Sequence, residues 1–166
     1  MEGLTSWRSS WRTDPFGRQI ADRHYNRQSI GADNFAPPGR CFVLVSDVPA
    51  LWVTSWPFAK FVQHDWAGAW MNSCFRKEGP GLASEMIRDA VAHTIWKWPN
   101  PPPLGMVTFV DPEKVEHKRQ PGYCYKKAGF EHVGYTKGGL WAWQLLPERM
   151  PEPIEPEPRL GALFAV

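Results

Sequence analysis

Residues 22–27 bring together side chains that could do acid-base or metal chemistry. His24 stands between Arg23 and Tyr25 in a segment that the sequence predicts to be helical. An imidazole titrates near neutral pH and is also a common metal ligand, so His24 is a candidate for proton transfer or for ligation. A lone histidine on a helix often has a purely structural role, and that alternative stays open.

Asp111 is a second candidate for chemistry, because it directly follows a short apolar strand predicted over residues 105–110. Open α/β sheets bind their ligands beyond the carboxyl ends of the strands. A carboxylate at that position is therefore a suitable partner for His24.

A basic, glycine-containing turn directly precedes the clearest predicted helix of the chain. Glycines let the backbone approach a ligand closely, basic side chains add positive charge, and a helix N-terminus attracts anions. Pro80 removes one N–H donor from the turn. A plain Gly-Pro-Gly turn is the alternative interpretation. The anion-binding candidates are Arg76, Lys77, Gly79, Gly81 and Ser84.

Residues 122–135 predict a short helix that runs directly into a strand. Gly129 suits the positive-φ position that often ends a helix, and Phe130 is the apolar residue that anchors the turn to the core. Tyr125 lies four residues before that glycine. One interpretation of this stretch is a helix end without catalytic meaning.

Hydrophobic periodicity along the chain predicts an α/β fold, with a mixed sheet flanked by helices. Asp14 is the predicted N-cap of the first helix, and Pro15 is its first residue. The strands on either side of the central helix should run parallel through a right-handed crossover. Residues 57–66 give no clear signal for helix or strand. Helices are predicted over residues 15–28, 82–95 and 122–129, and strands over residues 41–45, 50–55, 67–76, 105–110, 132–136 and 140–146.

The length of 166 residues suits one domain with a substantial core. We predict a basic and aromatic arm over residues 1–14, a catalytic body over residues 15–147, and a Pro/Glu-rich extension over residues 148–166. The ten tryptophans and seventeen prolines exceed ordinary usage and indicate rigid connections and large aromatic surfaces.

Charge and cysteine content narrow the class of protein. The net charge of +2 is a mild basic bias, compatible with a polyanionic partner. The three cysteines form no CxxC pair, so neither a disulfide framework nor a structural zinc site is indicated. The sequence shows no run of eighteen apolar residues and no signal-peptide core, so we expect a soluble intracellular protein with no membrane partner.

Aromatic and basic side chains interleave near the N-terminus, as they do in segments that bind nucleic acids. A second basic run follows residue 113. The alternative is that these side chains are ordinary surface and core residues. The candidate DNA contacts are Arg8, Arg12, Arg23, Arg27, Lys118 and Arg119.

The order of these motifs resembles the GNAT acyltransferase superfamily and, within it, the Mom DNA-modification proteins of Mu-like phages. The GNAT resemblance rests on the register of Arg76, Gly79 and Gly81 and on the Gly129-Phe130 helix end. The Mom resemblance rests on residues 23–27, 75–78, 108–112, 118–119 and 129–130, together with the closing strands.

The Mom resemblance implies conversion of the exocyclic amine of adenine in DNA to a carbamoylmethyl derivative, which protects phage DNA from restriction. It places His24, Tyr25 and Asp111 at the reaction centre. It also implies double-stranded DNA as the partner and the cytoplasm of an infected bacterial host as the location. A duplex base has to be flipped out of its stack for such a reaction.

The same resemblance implies cofactors. The turn at residues 76–84 would bind acetyl-CoA or another acyl or glycyl donor. Tyr125 would give a proton to the departing thiolate, as in ordinary acetyltransferases. Iron is also implied, with His24, Asp111 and Glu78 as the mixed nitrogen and oxygen ligand set.

Two other functions stay open from the sequence. The first is a GNAT N-acetyltransferase that uses acetyl-CoA to modify a small amine or a protein. The second is a non-catalytic nucleic-acid-binding module that kept the GNAT-like fold and lost the chemistry.

Overall fold

The computed structural model describes residues 6–114 and 120–159. Within these residues, three helices and one seven-stranded mixed sheet form an α/β fold, as predicted. The elements are β1 (Arg8–Ser9), α1 (Pro15–Asp22), β2 (Arg40–Ser46), β3 (Ala50–Trp56), β4 (Trp70–Lys77), α2 (Ala83–Lys97), β5 (Met106–Val110), α3 (Tyr123–Lys127), β6 (Glu131–Tyr135) and β7 (Trp141–Leu145).

The strands follow the order β1-β2-β3-β4-β5-β7-β6 across the sheet. β4 and β5 are parallel and are joined through α2, which confirms the predicted crossover. The remaining neighbours pair antiparallel. None of the helices in the described ranges is long and apolar enough to cross a membrane.

The two faces of the sheet carry separate hydrophobic clusters, because successive strand residues point to opposite sides. On β2, Phe42 and Leu44 pack with α2, whereas Val43 and Val45 pack with α1. The larger cluster lies on the α2 face. It includes four fully buried tryptophans, Trp7, Trp52, Trp70 and Trp143.

The first helix begins as predicted but ends earlier. The Asp14 carboxylate accepts a hydrogen bond from the Phe16 backbone N–H, so the predicted N-cap is confirmed. The prediction that the helix continues to residue 28 is wrong, since α1 ends at Asp22. The carboxylate of Asp22 accepts hydrogen bonds from Arg27 and from the Gly31 backbone N–H, which folds the chain into a loop. His24 therefore lies in this loop and not on a helix.

The described part of the N-terminal segment packs against the body through Trp7. Its side chain is fully buried, and its indole N–H donates to the Met86 carbonyl of α2 at 2.9 Å. Arg8 and Ser9 form the edge strand β1 beside β2. The C-terminal extension lies against the same region, because the Glu157 backbone N–H donates to the Trp7 carbonyl and the Ser9 N–H donates to the Glu157 carbonyl.

Asp14→Ala should destabilise the fold by about 1 kcal/mol, because it removes the N-cap of α1. The same carboxylate also accepts a hydrogen bond from the Ser10 hydroxyl at 2.6 Å. Urea unfolding monitored by circular dichroism measures the loss. Ser10→Ala is the control, since it removes only the hydroxyl contact, and equal losses in the two variants would contradict the capping role.

Candidate active site

Three of the four predicted catalytic residues line one cavity. His24, Tyr25 and Tyr125 surround a space of about 640 Å³ that lies between β4 and β5. The cavity extends to Lys77 at the end of β4 and to Ala83 at the start of α2. The sequence candidates from the first loop, the glycine turn and the last helix are thus gathered at one place.

The cavity exists because β4 and β5 separate. The two strands pair at three positions, of which Asn72 opposite Thr108 is the last, although β4 continues for five further residues. Ser73 is an extra residue on β4, since Val53 pairs with Cys74 and the next residue of β3 pairs with Asn72. Such a β-bulge bends the strand that carries it. The bend opens a wedge at the carboxyl ends of two parallel strands, where α/β sheets place ligands.

A buried polar network holds the apex of this wedge. The Asn72 amide donates to the carbonyls of Val53 and Cys74, both at 3.0 Å, and so satisfies the backbone on either side of the bulge. Its Oδ1 accepts from the Tyr125 hydroxyl at 2.6 Å and from the Thr108 hydroxyl at 3.2 Å. All the hydrogen-bonding capacity of the Asn72 side chain is therefore used inside the protein.

Tyr125 is a neutral phenol in this environment. Burial raises its pKa well above the usual 10. Its hydroxyl proton points to Asn72. The ring packs against Phe130 and Phe75 in edge-on contacts. Tyr125 thus lines the cavity with a fixed orientation.

His24 is held in one orientation by Asn26. The Asn26 amide nitrogen donates to the Ser73 carbonyl at 2.8 Å, so its amide oxygen faces His24 Nδ1 at 2.6 Å. The shorter of the two contacts to Nδ1 is an oxygen, which favours a proton on Nδ1 and leaves Nε2 as the basic atom of the neutral ring. The backbone N–H of Asn26 approaches the same Nδ1 at a longer distance of 3.2 Å.

The surroundings of His24 favour its neutral form. Burial lowers its pKa below the usual 6.5, and the positive charge of Arg76 acts in the same direction. The hydrogen bond to Asn26 and a contact with the Phe75 backbone oppose this shift. A neutral, oriented imidazole at the edge of a cleft is suited to accept a proton near pH 7.

Tyr25 links His24 to the predicted Asp111. The rings of His24 and Tyr25 stack with centroids 4.5 Å apart. The Asp111 backbone N–H reaches the Tyr25 hydroxyl at 3.4 Å, while the Asp111 carboxylate accepts from the Glu113 N–H in its own turn. Asp111 lines a second cavity of about 530 Å³ that shares Tyr25 and Ser73 with the first.

The two cavities open on opposite faces of the sheet. The first reaches Ala83 on the α2 side, whereas the second is lined by Met71, which alternates with the α2-facing Trp70 along β4. Phe109 borders both cavities. The wedge therefore passes through the sheet, and two reactants could meet in it from opposite sides.

Glu78 does not fit the predicted iron set. Its carboxylate binds Arg23 through two contacts of 2.6 Å and Arg76 through a third. These partners, with Arg23 as the main cause, lower the pKa of Glu78 to about 2. No group of three or more His, Cys, Asp and Glu side chains within residues 6–114 and 120–159 could hold a metal ion. The residues present therefore do not form the metal site that the resemblance implies.

The predicted cofactor turn has partly structural roles. A Cβ on Gly79 would lie 1.7 Å from the Val48 carbonyl oxygen, so close packing alone requires a glycine there. Lys77 donates to the Gly79 carbonyl at 2.5 Å, and Gly81 adopts a φ of +115°. No side chain caps the first turn of α2, in which Ser84 lies. The backbone N–H groups of this turn are thus open to an anion beside the cavity.

The predicted DNA-binding arginines contact the protein itself. Arg8 pairs with the Asp47 carboxylate, and Arg12 donates to the carbonyls of Pro37 and Gly39. Each of these side chains stabilises a neighbouring segment.

The two arginines near His24 are also engaged. Arg27 is almost fully buried and binds Asp22 together with the Ala32 and Asn34 carbonyls. Arg23 is half exposed beside Glu78. Lys118 and Arg119 lie outside the described residues, so their DNA contacts stay predictions.

The free thiols that border the first cavity are poor nucleophiles. Burial raises the pKa of Cys74 to about 12 and also raises the pKa of Cys124. Both therefore carry their protons at neutral pH, and the thiolate is the reactive form of cysteine. Covalent catalysis through these residues is not supported.

Sequence reasoning missed the amides that organise the site. Asn72 and Thr108 are polar residues inside predicted strands, and Asn26 is a loop amide that positions His24. Asparagine is depleted in strand interiors, so Asn72 in an otherwise apolar strand was the available signal. Its bonding partners are far apart in sequence and could not be identified from it.

Asn72→Ala and Tyr125→Phe should be coupled by about 1–3 kcal/mol in unfolding free energy, because they remove two ends of one buried hydrogen bond. A double-mutant cycle by urea unfolding measures this coupling. Tyr125→Phe combined with Thr94→Val is the control pair, since the Thr94 hydroxyl donates to the Ala90 carbonyl within α2, away from this network. Additive losses for Asn72 and Tyr125 would contradict the network.

Asn26→Asp should raise the pKa of His24, because a carboxylate beside Nδ1 stabilises the imidazolium that burial now disfavours. An NMR titration of the imidazole resonances measures the shift, with the wild-type pKa expected below 6.5. Asn34→Asp in the same loop is the control and should leave His24 unchanged. A wild-type pKa at or above 6.5 would contradict the described environment.

Comparisons with protein-family models, with curated proteins and with solved structures found no match to this chain. The function is therefore inferred from the wedge, from its side chains and from the sequence motifs that meet there.

Proposed function

We propose that this protein is a GNAT-like transferase that modifies the exocyclic amine of adenine in DNA, giving the carbamoylmethyl derivative that protects DNA from restriction. The observation that carries the proposal is the position of His24. It is neutral, is oriented by Asn26, and lies at a wedge that opens on both faces of the sheet.

The architecture supports the GNAT-like part of the proposal. Two parallel strands joined by one helix diverge at their carboxyl ends, and the short helix with Tyr125 closes the wedge from the other side. Residues of three of the sequence motifs border this cavity, namely His24 and Tyr25, Phe75 and Lys77, and Thr108 to Val110, whereas Arg76, Gly79, Gly81 and Gly129 do not line it. This placement is what a shared catalytic arrangement requires, although each motif alone is short.

His24 is the residue that would handle the proton. An amine that forms a new bond to a transferred carbon must lose one hydrogen, and the basic Nε2 of a neutral imidazole can accept it. Asn26 keeps the ring in the tautomer that exposes Nε2. The imidazolium can then release the proton to solvent, which restores the neutral ring.

A flipped adenine requires a planar, partly apolar site. Tyr25, stacked on His24, and Phe109 offer aromatic surfaces where the two cavities meet. Enzymes that act on a base stack it between such side chains once it leaves the helix. We place the acceptor at this junction, so that its amine faces His24.

The opposite end of the first cavity suits an anionic donor. Lys77 and the uncapped first turn of α2 lie there, and both favour phosphate groups. The carbamoylmethyl product requires a glycyl-type donor, in which the new N–C bond forms at a methylene carbon as the bond from that carbon to the leaving group breaks. Acetyl-CoA at this end would instead give an acetyl amide, the product of the second candidate function below. Tyr125 would keep its proton until the leaving group forms, since burial maintains its neutral phenol. Iron has no place in this proposal.

A GNAT N-acetyltransferase acting on a small amine or a protein is the second candidate. The internal contacts of Arg8, Arg12 and Arg27 favour it, because they remove three cations from the surface available to DNA. The same base and wedge would serve a small amine. The two functions differ in acceptor and not in the role of His24.

Expression of the wild-type chain should produce a modified adenine in nucleosides from host DNA, detected by mass spectrometry. His24→Gln should lower the modification by about 10²–10⁴-fold, the usual contribution of a general base. His132→Gln is the matched control, because His132 lies on β6 and does not border the cavity.

Circular dichroism and urea unfolding establish that each variant is folded. If the nucleosides are unmodified and the protein consumes acetyl-CoA with amines as acceptors, DNA modification is wrong and the N-acetyltransferase function is supported. Full modification by a folded His24→Gln variant would overturn the role of His24. DNA binding without any turnover would indicate the non-catalytic module.

A further inference from the structure

The loop between β3 and β4 exposes aromatic side chains that the proposed chemistry does not use. Phe58 and Phe61 are 61% and 71% exposed, and their rings contact each other edge-on. Large apolar side chains at such exposure usually mark a binding surface when they occur together. We call residues 56–66 with Arg40 the aromatic loop surface.

Cations accompany these rings. The Arg40 guanidinium lies 4.3 Å from the centroid of Trp56 and 5.1 Å from that of Phe58, and Lys60 lies 5.0 Å from that of Phe61. Arg40 donates from Nε to the Trp56 carbonyl, and the described residues give its two terminal nitrogens no hydrogen-bond partner. The surface contains one carboxylate, Asp65, and it makes no ion pair with Arg40 or Lys60 among the described residues. The positive charges of Arg40 and Lys60 are therefore available to an anion.

The aromatic series continues from this surface to the active site. His64 and Trp66 pack on Phe109, with ring centroids at 5.1 Å and 5.7 Å. Phe109 borders both cavities of the wedge. A linear ligand lying along the aromatic loop surface would thus be led toward the proposed base site and would pass one exposed carboxylate, Asp65, beside His64.

We propose that the aromatic loop surface binds an unpaired strand of DNA, with bases stacked on Phe58 and Phe61 and phosphates on Arg40 and Lys60. Alternating aromatic faces and cations are the arrangement by which proteins hold single strands without reading their sequence. This proposal rests on the proposed function, because the bound strand is taken to lead toward the site where adenine is modified. It differs from the double-stranded partner that the sequence resemblance implies.

The chemistry favours a nucleic acid over a lipid surface. The Arg40 guanidinium lies close to two rings, and its two terminal nitrogens carry N–H groups whose fork geometry matches a pair of phosphate oxygens. Bases have aromatic faces that complete the stack, whereas acyl chains would only cover the rings. A vesicle-binding arm in the experiment separates these two partners.

Fluorescence anisotropy with a labelled DNA strand of about 16 nucleotides, and with its duplex, tests the proposal in the full chain. We expect tighter binding of the single strand than of the duplex. Phe58→Ala combined with Phe61→Ala should weaken single-strand binding by at least about tenfold, because each lost stack costs about five-fold or more. Arg40→Gln with Lys60→Gln should flatten the slope of log affinity against log salt by about 0.7 for each lost phosphate contact.

Tyr135→Ala and Lys137→Glu are the matched controls, because they alter an exposed aromatic and an exposed lysine outside this surface. Both should bind the strand as the wild type does. Unchanged single-strand affinity in the double phenylalanine variant would overturn the proposal. So would binding to vesicles of phosphatidylcholine and phosphatidylserine that this variant loses while its DNA affinity stays intact.

The outcomes also separate this surface from the proposed function. If the wild type modifies adenine and the surface variants bind DNA normally, the proposal for the aromatic loop surface is wrong and the proposed enzymatic function stands. If the wild type binds the strand through Phe58 and Phe61 but modifies no base, the binding surface is supported and the proposed enzymatic function is wrong. Absence of DNA binding in the wild type would overturn both.

Discussion

The Asn72 side chain is the interaction on which the active site depends. A β-bulge interrupts the ladder between β3 and β4, and the carbonyls beside it need donors because they are shielded from water. The Asn72 amide supplies both. The same side chain accepts from Tyr125 and Thr108, so the bent strand, the diverging strand and the last helix share one hydrogen-bond centre. The wedge is therefore a fixed feature of the core.

The loop after α1 adds the proposed base to this frame. Asn26 bonds to the carbonyl of the bulge residue Ser73, and through its other end it orients His24. Glu78, bound by Arg23 and Arg76, joins the end of α1 to the turn after β4. The position of His24 thus depends on two contacts to β4. Local sequence around His24 supplies the chemistry, whereas β4 supplies the geometry.

Short-range signals predicted much of this fold. Asp14 caps α1 as its position before Pro15 indicated, and α2 follows its hydrophobic period. The end of α1 was not predicted, because it depends on hydrogen bonds from Arg27 and Gly31 to the Asp22 carboxylate. Such side-chain contacts are not visible in a pattern of hydrophobic residues.

Contacts between residues far apart in the sequence could not be predicted, for the same reason. The bulge at Ser73 changes the face to which β4 residues point, so that Trp70 belongs to the cluster on the α2 face and Cys74 to the cluster on the α1 face. The candidate site residues were identified by residue type, since the side chains of histidine, tyrosine and aspartate can transfer protons or bind ligands. Their neighbours were not, because an amide becomes important only through partners that the tertiary fold provides.

The contact between Trp7 and the C-terminal extension has a consequence for synthesis of the chain. Trp7 is synthesised 150 residues before Glu157, yet its carbonyl and the nearby Ser9 N–H bond to Glu157. Chains emerge at about 5–20 residues per second, so the first strand waits roughly 8–30 seconds for this partner. The sheet edge at β1 is completed only once Glu157 has been synthesised, and a chain stalled before that point would leave the edge open to other strands.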